Sequence, residues 1–204
     1  MNSGPVRAAY GERASEYTAL LGSMSAVHPA DSELVLGWAD GIHGRVLDAG
    51  CGPGHWTHLL QSHGVDATGV DQVPEFIDRA TERFPTVPFR VGRLEALDEA
   101  DGSLGGILAW YSIIHTPPKD LGPVLGEFAR CLAPGGSLLL GFFDGPRVEA
   151  FEHAVITAYR WPVDALASEL ASAGFEVAQT HTRADPGERP HAAILARRHP
   201  AREP

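Results

Sequence analysis

From residue 45 onward, short apolar runs alternate with amphipathic runs bounded by helix start and stop signals. This alternation constrains the fold more than any other feature of the chain. RVLDA (45–49), VDATGVD (65–71), VPFRVG (87–92), GGILAWYS (105–112) and SLLLGFF (137–143) read as strands. Helices stand between them. HWTHLLQSH is ended by Gly64, and PEFIDRATERF carries Pro74 in its first turn, where a missing N–H costs little. LGPVLGEFARCLA follows, and then PVDALASELASAG, framed by Pro162 and Gly174. Strand and helix taking turns implies a parallel sheet wound on both faces by helices. The last two strands, FEVAQTHT and AAILARR, are joined only by ADPGERP. That link is too short for a crossover, so the two form a hairpin and the final strand runs antiparallel. The expectation is an α/β, Rossmann-like sheet of seven strands, mostly parallel. Residues 1–41, with ERASEYTALLG and DSELVLGWAD at helical spacing, read as an N-terminal helical lid. Residues 42–198 read as the core of a single domain.

The first strand runs into VLDAGCGPGHW (46–56), where Gly50, Gly52 and Gly54 alternate with other residues. In a doubly wound sheet, ligands sit at the carboxyl ends of the strands, so this loop is in the right place. A P-loop requires Lys-Ser/Thr after its last glycine, and His55-Trp56 stands there. A dinucleotide fingerprint requires its third glycine at position 55, and that residue is histidine. Asp48, two residues before Gly50, would also repel a pyrophosphate. An acid next to a helix start suits a zwitterion: the ammonium goes to Asp48, the carboxylate to the helix N-terminus or a nearby donor. Asp71 ends the second strand about 20 residues after the first glycine, where an acceptor for ribose hydroxyls belongs. An amino acid joined to a ribose describes S-adenosylmethionine.

Composition narrows the partners. Acids outnumber bases by 26 to 16, a formal charge of −10, which disfavours a nucleic-acid surface. The basic tail RRHPAREP reads as a solvated end. No apolar run reaches the length of a membrane span, and the polar start lacks a signal core. The two cysteines have no disulfide or zinc spacing, so a cytoplasmic setting is expected. The oligomeric state stays open between monomer and homodimer.

VLDAGCGPG resembles the first motif of class I S-adenosylmethionine-dependent methyltransferases, and GVDQVPEFIDRA resembles the second. GGILAWYSIIHTPP is similar to their fourth-strand motif, FARCLAPGGSLLLGFF to the segment leading into the fifth strand, and AGFEV to the closing motif. The ordered match covers roughly residues 42–198. The resemblance implies that Gly50, Cys51 and Gly52 line the methionine portion, with Asp48 reaching it directly or through water. Asp71 would take the ribose hydroxyls, beside Gln72 and Val73 at the adenine. Leu94 would serve the adenine through its backbone. Arg93 stands where the family usually has Asp, and Glu95 is a substitute for that acid. The carbonyl of Ala109 would face the methionine ammonium, and Trp110 and Tyr111 would border cofactor and acceptor. His55 is expected at the methionine carboxylate, next to Trp56, and Tyr17 closes over the cofactor.

The acceptor side rests on fewer signals. His115, past the fourth strand, and His153 are the expected catalytic residues. DGPRVEAFEHAVITAYRWP is long for a strand-to-helix link, so a helical insertion is expected at about 145–161 over the active site. It would bring Tyr159, Arg160 and Trp161 to the substrate, joining Tyr10, Tyr111 and His115. Arg160 would clamp an acidic substrate or pair with a surface acid. The family's nucleobase-methylating, thiol-dependent and metal-dependent signatures are missing from the sequence, so no metal is expected. The expected reaction is methyl transfer to oxygen or nitrogen of a small organic metabolite by in-line displacement, S-adenosylhomocysteine being the product. The alternative is a protein that binds S-adenosylmethionine without methylating, as a regulator or as a cyclase or rearrangement enzyme.

Overall fold

The computed structural model describes residues 4–200; residues 1–3 of the expected lid and 201–204 of the basic tail lie outside the described residues. The lid region comprises α1 (Gly4–Glu12), α2 (Ala14–Leu21), a 3-10 turn (Met24–Ala26) and α3 (Pro29–Ala39). The alternating part follows as β1 (Val46–Ala49), α4 (His55–Ser62), β2 (Ala67–Asp71), α5 (Pro74–Arg83), β3 (Phe89–Val91) and β4 (Leu104–Trp110). Then come α6 (Pro118–Cys131), β5 (Leu132–Asp144), β6 (Glu149–Phe151) and β7 (Ala158–Trp161). The chain closes with α7 (Val163–Ser172), β8 (Phe175–Arg183) and β9 (His191–Arg198). No helix among the described residues is long and apolar enough to cross a membrane.

The strands form one nine-stranded sheet in which β3, β2, β1, β4 and β5 lie side by side and parallel. β9 adds antiparallel to β5 and β8 antiparallel to β9, the hairpin expected from the short link. All seven expected strands are present. The strand order reverses between β1 and β4, so the loops after these two strands open the crevice where such sheets bind ligands.

The expected helical insertion at 145–161 is a β-hairpin instead, with β6 paired antiparallel to β7. The cause lies in β5. It continues past Gly141, which faces the last residue of β4, and leaves backbone groups of its final residues unpaired on that flank. β7 fills the gap in parallel, Phe143 facing Arg160 and Asp144 facing Trp161.

Two apolar layers hold the sheet. One joins β1, β4 and β5 to α6 and α7 through Leu125, Phe128, Leu166 and Leu170, all fully buried. The other packs α3 and α4 on the opposite face through Val35, Trp38, Trp56 and Leu60. Trp38 also donates its indole N–H to Ser137 Oγ at 2.9 Å, satisfying both buried groups. A smaller cluster of Tyr10, Ala14, Val73 and Phe76 fastens α1 and α2 to α5, with Val155 and Ile156 of the β6–β7 loop packed against it. The amino-terminal helices thus bridge from α5 to the hairpin across the carboxyl end of the sheet.

Candidate active site

Beneath that bridge lies a cavity of about 580 Å³, within the range of small-molecule sites. One half is built mainly from backbone. Gly50, at φ +85°, sits so close to β4 that a Cβ there would stand 2.2 Å from Ser112 Cβ. Gly52, at φ +52°, faces open space with nothing within 4 Å of a built Cβ. The first glycine therefore permits close packing, and the second keeps the floor of the cavity bare. Asp71 Oδ2 accepts from the Gly52 N–H and Oδ1 from the Val73 N–H, each at 2.9 Å. A carboxylate has about four acceptor sites, so acceptor capacity is left for a ligand. Burial raises the Asp71 pKa to about 6, with the backbone donors pulling the other way.

Of the residues expected at the cofactor, Tyr17, Gly50, Cys51, Gly52, His55, Trp56, Asp71, Gln72, Leu94 and Trp110 line this cavity. Asp48, Ala109 and Arg93 do not. Asp48 is sealed under the glycine loop, where it accepts from the Thr57 hydroxyl at 2.6 Å, and burial raises its pKa to about 7. The Ala109 side chain lies in the core. Arg93 turns outward to pair with Glu95, because the loop after β3 closes on itself through a bridge from Arg93 to Ala96. In this half of the lining, His55 Nδ1 and Ser112 Oγ are buried with no hydrogen-bond partner. Burial lowers the His55 pKa to about 4, so its ring is neutral at neutral pH.

The other half is built from side chains. Tyr10, Tyr111, His115 and His153 line it. His115 Nδ1 lies 2.8 Å from the Thr157 carbonyl and must carry the proton; Nε2, 2.7 Å from the Tyr10 hydroxyl, therefore accepts. Burial lowers the His115 pKa to about 4. His153 stands edge-on to His115, 5.3 Å between centroids, with Nδ1 buried and unpartnered. Tyr111 has φ +56°, the one positive value among the described non-glycine residues, which aims its ring across the cavity towards His191. Its hydroxyl bonds His191 Nδ1, while His191 Nε2 faces Glu188 at 3.8 Å.

Tyr159, Arg160 and Trp161 stay out of the cavity, which corrects their expected substrate role. Strand pairing decides this. Trp161 is buried in the α6–α7 core layer and Tyr159 packs against that layer. Arg160 faces Glu149 across the hairpin and pairs with it at 2.7 Å. In their place the structure supplies Asp31, Phe143, Arg183, Glu188 and His191, none of which was expected. A signal existed. An antiparallel final strand begins at the carboxyl end of its parallel neighbours, so THTRADPGERPH had to arrive beside the fifth strand's end. His191 indeed faces Phe143.

Residues 46–136 match the family described as a methyltransferase domain. The magnesium-protoporphyrin O-methyltransferase of Rhodobacter capsulatus is 35% identical over 112 residues, covering 48% of this chain and 49% of that one. Over residues 46–136 the chain is similar to S-adenosylmethionine-dependent methyltransferase domains. The ubiquinone biosynthesis O-methyltransferase of Xanthomonas oryzae pv. oryzae is 31% identical over 140 residues, 66% of this chain and 57% of that one. The chain thus spans about half the length of the curated relatives it matches. The Burkholderia thailandensis 1,6-didemethyltoxoflavin-N1-methyltransferase, solved with 1,6-didemethyltoxoflavin and S-adenosylhomocysteine, shares the methyltransferase fold. Its TM-score is 0.80 at 22% identity, over 97% of this chain and 88% of that one. The residues present fit the methyltransferase cofactor: the bare floor at Gly52, the remaining acceptor capacity of Asp71, and the unpartnered atoms of His55 and Ser112 offer acceptors and donors in one continuous cavity.

Proposed function

We propose that the chain transfers a methyl group from S-adenosylmethionine to oxygen or nitrogen of a small organic metabolite. The observation that carries this reading is the two-part cavity. Its backbone-built half suits a nucleoside joined to an amino acid, and its side-chain half opens beside it without a barrier. When bound, S-adenosylmethionine supplies a methyl carbon already activated by its sulfonium. Asp71 and Gln72 hold the nucleoside end. Gly50, Cys51 and Gly52 line the amino-acid end, with His55 and Ser112 donating to its carboxylate. Trp110 and Tyr111 stand where the two halves meet and align the acceptor for in-line attack. The roof formed by Tyr10, Tyr17 and the helices carrying them keeps water out.

His115 takes the acceptor's proton. Its Nδ1–H is anchored on Thr157 and its Nε2 accepts from Tyr10, so the proton passes through Tyr10: the phenol oxygen takes it from the acceptor while giving its own hydrogen to Nε2. Neutrality at pH 7 keeps that nitrogen unprotonated. His153 packs on His115 and fixes its ring plane.

Calorimetry with S-adenosylhomocysteine tests the cofactor half: micromolar binding is expected, weakened at least about tenfold in Asp71→Ala, as loss of charged hydrogen bonds implies. Unchanged affinity in that variant overturns the assignment of Asp71. Release of S-adenosylhomocysteine from S-adenosylmethionine in the presence of a metabolite extract tests the reaction. Binding without release supports a non-methylating role instead.

A further inference from the structure

The hydrogen atoms of the acceptor half determine what it can hold. The Tyr10 hydroxyl is committed to His115 Nε2, because His115 Nδ1–H is committed to the Thr157 carbonyl. The Tyr111 hydroxyl is committed to His191 Nδ1, because Glu188 faces Nε2 and favours a proton there. Both phenol oxygens therefore present lone pairs, not hydrogens, to whatever lies between them.

Charge points the same way. Arg183 is the one lysine or arginine among the described residues lining the cavity. It is spent on two carboxylates, with both terminal nitrogens on Asp31 and Nε 2.8 Å from Asp185. Arg189 lies beyond the wall formed by Phe143, Glu188 and His191, stacked on Phe151. Burial keeps His115, His153 and His191 neutral at pH 7, the neighbouring Arg183 adding to this for His191 while Asp31, Glu188 and Asp185 oppose it. The walls are otherwise rings: Tyr111 meets Phe143 edge-to-face at 5.1 Å, and Phe143 lies 5.9 Å from His153. A carboxylate or phosphate entering here finds the neutral His153 ring but no cation free of a carboxylate partner, and an isolated buried charge is costly.

We infer that the methyl acceptor is a neutral aromatic molecule that donates an O–H or N–H, a phenol or a heteroaromatic N–H, docked between the Tyr10–His115 and Tyr111–His191 pairs. This rests on the methyltransferase reading and names the substrate class within it. Carboxylic acids, to which an O-methyltransferase could equally be directed, are disfavoured because the lining's one arginine is already paired with Asp31 and Asp185.

Three probes of one shape test it by calorimetry on the protein saturated with S-adenosylhomocysteine: 2-naphthol, 2-methoxynaphthalene and 2-naphthoate. The expected result is binding of 2-naphthol, with the ether and the carboxylate each weaker by at least about tenfold. Tyr10→Phe or Tyr111→Phe should weaken 2-naphthol at least about fivefold, with a cooperative thermal unfolding transition reporting that each variant folds. The inference is overturned if 2-naphthoate binds as well as 2-naphthol, if the ether matches it, if neither variant changes its affinity, or if no probe binds. Failure of S-adenosylhomocysteine itself to bind strikes the underlying cofactor reading and is seen before any probe is added.

Discussion

The two halves of the cavity are made differently. The cofactor half comes from consecutive residues at the ends of β1 and β2, and its shape is set by backbone: two left-handed glycines and two amides pinned to Asp71. The acceptor half is assembled from side chains on five separate segments, the lid, the end of β4, the end of β5, the β6–β7 loop and the β8–β9 hairpin. Backbone geometry tolerates almost no substitution, whereas a side-chain wall is replaceable one residue at a time. The comparison teaches that a family can keep one half and vary the other, which is how a shared fold serves different acceptors.

Substitutions should separate the halves, beginning with the largest effect. Gly50→Ala drives a Cβ into Ser112 at a left-handed position, so a loss of about 3 kcal/mol or more in chemical denaturation is expected, together with loss of cofactor binding. A stable Gly50→Ala protein with normal affinity breaks the contrast outright.

Asp48→Asn acts in the opposite direction. Asp48 has a folded pKa of about 7, above its unfolded value, so its contribution to stability is full below about pH 4 and lost as pH rises through 7. The asparagine variant should therefore be more stable than the native chain at pH 8, by about 4 kcal/mol, and the gain should largely vanish near pH 4. His55 and His115, with pKa values lowered to about 4, titrate equally in both proteins and cancel in the difference.

Gly52→Ala sharpens the comparison. The new methyl meets no neighbour, so the cost is only about 1 kcal/mol for the left-handed backbone. It projects into the cavity floor, and S-adenosylhomocysteine affinity should fall by more than that stability change explains. On the acceptor side, Tyr10→Phe should cost about 1 kcal/mol or less and leave cofactor affinity intact. Without the phenol donor on Nε2, the His115 titration followed by NMR should move upward from about 4.

Legibility in the sequence follows the same division. VLDAGCGPG and Asp71 were readable because a backbone-built site is written in consecutive residues. His115, Tyr10 and Tyr111 were readable because the order of strands places their segments at the carboxyl end. Asp31 was not, since it meets Arg183, 152 positions away, only after the sheet closes. The reading of 145–161 as a helix failed for a local reason. Apolar and aromatic residues there fit either period, and only the unpaired end of β5 selects a strand. Arg93 shows a further limit, because matching a family position does not reveal that Glu95 turns the side chain away.

Tyr111 sits where a glycine or asparagine would be more at ease, at a cost of about 1–3 kcal/mol. A laboratory lineage screened for heat resistance alone should therefore drift towards those two residues at position 111, and one screened for turnover should keep tyrosine. Sequencing both pools would turn a single dihedral angle into a record of what selection has been asking of this chain.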